Sequence, residues 1–281
     1  MNGILIVNKG KDVTSRDIVN DLVHIFHTKK IGHTGTLDPL ATGVLVCTIG
    51  KFTKLNLDLT SEYKEYVAEM RFGISTDTLD ITGNILKEED ISLDKETIYK
   101  AIMSFKKEYN QEVPIYSSVK VNGRKLYDYA RSGEEVELPV RKVNIKEIEV
   151  LSINKNDVKF RCLVSKGTYI RSLIRDIGES LNTCATMTSL VRTKQGKFNI
   201  KDSYTIDDVK NNKYKILSIE EVLDLDIVTA SDNLFKLINN GVAIDYKSKK
   251  DYILFRYNFD DIALYKKEND GKYHMYIKLN D

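Results

Sequence analysis

The apolar positions of this chain follow helical spacing in some stretches and strand alternation in others, with no repeating order between them. Over residues 14–27, Ile18, Leu22, Ile25 and Phe26 fall on one face, Thr14 or Ser15 can cap, and Asp17 sits in the first turn, which predicts a helix. Residues 32–43 are dense in Gly, Thr and Pro and run into the apolar stretch 44–49, a loop leading to a buried element. Tyr66, Ala68, Met70 and Phe72 alternate with Glu69 and Arg71, as a half-buried strand does. Ile98, Ile102 and Phe105 mark a second helix over 94–107, and Asn122-Gly123 marks a tight hairpin. Val158, Phe160, Cys162 and Val164 predict another strand. Ile170, Leu173, Ile174, Ile177 and Leu181 predict a helix after it, so residues 165–168 form a strand-to-helix junction. Past about Leu223 the texture changes: a short helix over 234–240 stops at Gly241, and short alternating strands follow at 252–257, 262–265 and 273–279.

Strands and helices mixed without a regular βαβ order indicate an α+β class, with a larger domain, 1–222, and a small, mainly β domain, 223–281. At 281 residues with 42% hydrophobic content, the chain has material for a sizeable core. Its 30% charged residues and mean hydropathy of −0.33 predict a polar surface, and no apolar run approaches membrane-spanning length. The first residues carry no export pattern, so a cytoplasmic location is expected. Cys47, Cys162 and Cys184 are odd in number and far apart, which gives neither a disulfide framework nor a Cys-x-x-Cys site. His24, His27, His33 and His274 have no zincin spacing, so no metal is expected.

Net charge is only +2, but its placement is uneven. Residues 192–201 hold four basic side chains and no acid, and 120–131 hold four against Asp128 alone. Such clusters fit phosphate contacts, and they fit solvated faces equally well. Asp38 draws attention on chemical grounds: a carboxylate in a glycine-rich loop, followed by proline, is biased towards extended backbone and outward presentation. It can act as nucleophile or base, or simply close an Asx-turn. A phosphate cradle is the weaker alternative, because the loop lacks the Gly-Lys-Ser/Thr ending of a P-loop.

The stretch 32–43, GHTGTLDPLATG, resembles the catalytic motif of the TruB family of pseudouridine synthases. Further blocks occur in the family's order: GILIVNKGKDVTS at 3–15, the strand carrying Tyr66, PIYSSVKVNGRKLYDYAR at 114–131, SKGTYIRSLIRDIG at 165–178 and LVRTKQGKF at 190–198. The resemblance covers about residues 3–200. It implies an enzyme that isomerises the uridine at position 55 in the T-loop of tRNA without a cofactor, acting as a monomer on the T-arm. By the same resemblance Asp38 is the nucleophile, Arg171 pairs with it, and Tyr66 packs on the target base and assists proton transfer. Tyr169 and Leu190 line the uracil pocket, His33 fills space vacated by flipped bases, and Lys9 buttresses the site. Lys120, Arg124, Lys125, Arg192 and Lys194 are the expected phosphate contacts. The strand-rich C-terminal part is expected to be a PUA-like RNA-binding module.

The chain departs from the family pattern at Gly10, where proline is usual, and at Val191, where many members carry a second arginine. Isomerisation cleaves the bond from ribose to N1, turns the base and rejoins it through C5, which requires flipping the nucleotide out of its stack. Attack at the ribose anomeric carbon and attack at uracil C6 both remain open. So do an RNA-binding or tRNA-chaperoning role in which Asp38 does no chemistry, and a synthase acting on ribosomal RNA with protein partners.

Overall fold

In the computed structural model, which describes residues 1–60 and 63–280, a nine-stranded mixed sheet forms the body. Residue 281, the end of the expected second domain, lies outside that range. Across the sheet the main strands run Gly3–Lys9, Thr42–Ile49, Ala185–Gln195, Tyr63–Phe72, Asp157–Ser165, Val140–Asn154 and Glu108–Glu112, with Ile31–His33 and Phe198–Asn199 attached at the side. Neighbours are antiparallel except at one short parallel junction, where Val191 and Arg192 pair with Thr42 and Gly43. Gly43 is required there: its φ is +99°, and a Cβ would sit 2.3 Å from the Arg192 carbonyl oxygen.

Local sequence explains the elements flanking the site. The Ser15–Phe26 helix begins in a capping box, with Thr14 accepting from the Asp17 N–H and the Asp17 carboxylate accepting from the Thr14 N–H. The Lys120–Val121 and Arg124–Lys125 strands close on Asn122 (φ 51°) and Gly123 (φ 80°), two consecutive left-handed residues of the kind that matches hairpin twist. In the Tyr63–Phe72 strand the even positions from 66 onward are buried against the Ile170–Ser180 and Lys95–Ser104 helices.

The Gly3–Lys9 and Thr42–Ile49 strands are buried on both faces, which is why they read as continuous apolar runs rather than alternating ones. Leu5, Val7, Leu45 and Cys47 pack under the Ser15–Phe26 helix. Ile4, Ile6, Val44 and Val46 face Leu254, Leu264 and Ile277 of the C-terminal strands. Those strands form a separate sheet in the order Leu225–Thr229, Tyr252–Tyr257, Asp260–Lys267, Tyr273–Lys278, its outer face covered in part by the Asp232–Asn239 helix. The α+β class is therefore as expected, and the C-terminal strands, while distinct as a sheet, share a core with the first strands of the chain. Asp58 strengthens that junction by accepting from the Tyr252 and Tyr276 hydroxyls and from Lys266 Nζ.

Candidate active site

The loop that carries Asp38 is pinned on both sides of that residue. Upstream, the Leu37 N–H donates to Ser15 Oγ at 2.9 Å, and Ser15 Oγ donates back to the Leu37 carbonyl at 3.1 Å. Downstream, the Pro39 carbonyl accepts from Lys9 Nζ at 3.1 Å and from the Asp12 N–H at 2.9 Å. Lys9 is fully buried and also donates to the carbonyls of Gly10 and Val13, so its three donors are all used. Burial lowers its pKa to about 8, against the pull of Asp38 and Asp12, which favour the charged form. Lys9 therefore braces the loop from below, and its place in the core contrasts with the surface position usual for lysine.

Arg192, expected at a phosphate, is instead fully buried in the parallel junction. Its Nε donates to the Val44 carbonyl at 2.7 Å, and its terminal nitrogens donate to Gly35 at 3.0 Å and Thr36 at 3.4 Å. Its guanidinium thus holds the loop's entry and exit together and cannot reach a phosphate. Arg124 is also engaged: it pairs with Glu134 at 2.9 Å, donates to the Asp128 carbonyl and Ser132 Oγ, and stacks over Tyr129. Those contacts stabilise the hairpin and short helix rather than offering a free fork. Lys194 lies 3.5 Å from Glu65 on an exposed edge, and Lys120 is exposed on the hairpin.

Asp38 faces a cleft of about 670 Å³ lined in part by His33, Tyr66, Lys125, Tyr169, Arg171 and Leu190. Arg171 enters from the start of the Ile170–Ser180 helix, with Nε 3.0 Å from Asp38 Oδ2. Its side chain is 4% exposed and that of Asp38 37%, so the cation is fixed in the wall while the carboxylate is presented to the cleft. The Nε contact is a charge contact off the line of a hydrogen bond. The other guanidinium nitrogens are aligned, donating to the Thr78 carbonyl at 2.8 Å and the Tyr116 carbonyl at 2.9 Å. Three segments distant in sequence thereby fix one fork.

Tyr66 and Leu190, 7% and 6% exposed, contribute apolar surface to the same cleft. Burial pushes the Tyr66 phenol up, with Arg192 opposing the shift. His33 is held below the usual imidazole range by burial and by the neighbouring cations Arg192 and Arg16, and its Nδ1 accepts from the Gly35 N–H at 3.3 Å. The backbone of Tyr169 is clamped by Gln111, which accepts from its N–H at 2.8 Å and donates to its carbonyl at 3.1 Å.

Sequence reasoning offers Ser15 only as a helix cap and does not identify Gln111 or Lys64, and all three shape this cleft or its support. Among the described residues, no group of His, Cys, Asp or Glu is arranged to hold a metal ion, and no helix is long and apolar enough to cross a membrane.

The nine-stranded body thus carries an aspartate–arginine pair in a basic and aromatic cleft. Among solved structures, a Cbf5-Nop10-Gar1 complex matches 99% of this chain and 84% of the solved chain, with a TM-score of 0.67 and 25% identity. An H/ACA ribonucleoprotein bound to a substrate RNA containing 2′-deoxyuridine has the same fold, with a TM-score of 0.66 over 98% of this chain and 84% of the solved chain at 24% identity.

Residues 23–170 match the N-terminal domain of the TruB family pseudouridylate synthases, and residues 171–231 match the tRNA pseudouridylate synthase B C-terminal domain. The chain belongs to the TruB family. The tRNA pseudouridine synthase B of Clostridium tetani is 43% identical over 257 residues, 90% of this chain and 89% of that protein. That of Clostridium kluyveri is 39% identical over 283 residues, covering 100% of this chain and 93% of that protein.

Proposed function

We propose that this enzyme converts the uridine at position 55 in the tRNA T-loop to pseudouridine, with Asp38 as nucleophile. The observation that carries the reading is the Asp38–Arg171 contact: a buried guanidinium locked by two carbonyls aims an accessible carboxylate across a cleft wide enough for a nucleotide. The N1 bond to ribose breaks, the base turns, a C5 bond to the same carbon forms, and the C5 proton is replaced by one on N1. No electrons leave the substrate, so the chemistry calls for no redox cofactor.

In this reading Tyr66 packs on the detached uracil and takes part in proton transfer, with Leu190 and Tyr169 bounding the pocket. A uridine stacked in a folded loop must be flipped to reach Asp38, and His33 at the cleft wall fills the vacated space. Lys120, Lys125 and Lys194 contact T-arm phosphates, while shape rather than base readout selects the arm. The enzyme works as a cytoplasmic monomer. A boundary at 222/223 sets off a PUA-like module that reads the acceptor stem, and its separate four-stranded sheet supports that division. The names of relatives at about 40% identity favour tRNA over other RNAs.

The test is pseudouridine mapping on unmodified tRNA transcript by mass spectrometry, comparing the intact protein with Asp38→Asn. Product at position 55 from the first and none from a variant that still binds tRNA is the expected result. Equal tRNA binding with no product from either protein would leave an RNA-binding or chaperoning role in its place.

A further inference from the structure

Lys64 stands two residues before Tyr66 on the same strand face and lines the same cleft, and among the described residues it has no ion pair or hydrogen bond. Other shielded cations here have partners: Arg161 meets Glu65, Glu147 and Glu149, Arg175 meets Glu112 and Asp176, and the buried Lys9 and Arg192 donate to backbone carbonyls. The sheet gives Lys64 no acid, since its neighbours in register are Val164 and Gln195, and Glu65 points to the opposite face. Lys64 Nζ abuts the Asp38 loop, 3.0 Å from where a Cβ on Gly35 would sit. Burial lowers its pKa to about 8, and both charges acting on it, Arg192 and Lys166, are cations. Arg16, also in the cleft wall, has no acidic partner among the described residues. Of the residues lining the cleft, Asp38 alone is acidic, and Arg171 already holds it.

An unpaired ammonium kept partly dry among like charges is costly to the fold, and an arriving anion offsets that cost. We propose that Lys64, with Arg16 and Lys166 at its rim, is the receiving site for a backbone phosphate adjacent to the target uridine. The site lies beside the base pocket, so the phosphate fixes the flipped nucleotide's sugar relative to Asp38. This inference rests on the reading that the cleft takes a uridine from RNA.

The experiment uses the full chain and a synthetic T-arm RNA bearing one neutral methylphosphonate, placed 5′ or 3′ to the target uridine. With natural RNA, Lys64→Met should raise KM about tenfold with a smaller change in kcat, and Lys64→Arg should restore most of the loss. At one of the two positions the methylphosphonate should cost the wild type about tenfold and cost Lys64→Met less than about twofold, because the partner is already gone. The salt slope of binding should fall by about 1 in the Met variant. Losses that multiply at both positions, or a Met variant with wild-type KM, overturn the inference. If Lys64→Met does not fold, the two methylphosphonate substrates on wild type decide, and a loss at neither overturns it. Wild-type protein that makes no pseudouridine from natural RNA refutes the enzymatic reading instead, so the two failures are distinguishable.

Discussion

Replacing Arg171 by lysine keeps the charge and removes the fork. The guanidinium currently serves three oxygens at once: it donates hydrogen bonds to the carbonyls of Thr78 and Tyr116 and makes a charge contact with the carboxylate of Asp38. A lysine ammonium cannot hold all three from the start of the helix, so the carboxylate loses its fixed aim. Misplacing a reacting group by about 1 Å costs roughly a hundredfold in rate, and kcat should fall by about that factor while tRNA affinity changes little. The Coulombic part is modest: at 3.0 Å and an effective dielectric of about 20 the raw attraction is about 5 kcal/mol, and the exposure of Asp38 reduces the net value to about 1 kcal/mol.

Stability tells the two roles of this side chain apart. Arg171→Met leaves two buried carbonyls without donors, a cost of about 1–3 kcal/mol each, whereas lysine can satisfy one of them. The Met variant should therefore unfold roughly 5–10 °C below wild type and the Lys variant less far below. Tritium release from C5-labelled uridine, filter binding of tRNA and differential scanning calorimetry measure the three quantities on the same preparations. A Lys variant that turns over within about threefold of wild type, or a loss of rate that simply follows the loss of melting temperature, would refute the assignment of Arg171 as the group that aims Asp38.

Lys64→Met should stabilise the protein while harming its activity. The folded pKa of about 8 lies below the unfolded value of 10.5, so between those pH values the unfolded chain binds the extra proton and stability rises with pH, whereas at pH 7 the charged form costs the fold about 1–2 kcal/mol after discounting for partial exposure. Lys9 contributes a rise of the same sign, so the quantity to compare by urea unfolding at pH 7 and pH 10 is the difference between variant and wild type. Asp58→Ala should loosen the C-terminal sheet by about 2–4 kcal/mol and expose a protease-sensitive site near residue 225 by limited proteolysis, because two tyrosines and Lys266 lose their common acceptor. The same substitution should lower the Tyr276 phenol from about 12, read by ultraviolet titration. Cys47 and Cys162, fully buried and pushed up to about 12, should resist Ellman's reagent at pH 8 until the protein unfolds, with Cys184 the one thiol that reacts in the native state.

Elements with a local signature were readable from the sequence. The Ser15–Phe26 helix announced itself through its cap and stripe, the strand around Tyr66 through strict alternation, and the hairpin through Asn-Gly. The Ala185–Gln195 strand was missed, although it lies at the centre of the sheet, because its partners are Thr42–Gly43 and Tyr63–Phe72 and no local pattern reveals pairing over such separations. Arg192 is hidden from the sequence for the same reason: counting basic residues says nothing about which face they occupy, and this one is buried. Arg171 and Tyr66 reached the candidate site through family resemblance, since 105 residues of chain separate them. Lys64 did leave a signal, because it shares parity with Tyr66, Ala68 and Met70, and a lysine on the inward parity of a strand calls for an explanation.

The clasp formed by Arg192 on the Asp38 loop also sets when that loop can be fully held during synthesis. Its hydrogen bond to Val44 joins residues 148 positions apart, so this brace of the loop does not exist until two thirds of the chain has been made. A nascent chain ending before Arg192 holds the complete GHTGTLDPLATG segment, yet the carbonyls of Gly35, Thr36 and Val44 still lack their guanidinium donor. The clasp on this loop is thus a long-range contact that closes only after the segments carrying Lys9 and Ser15 have been made.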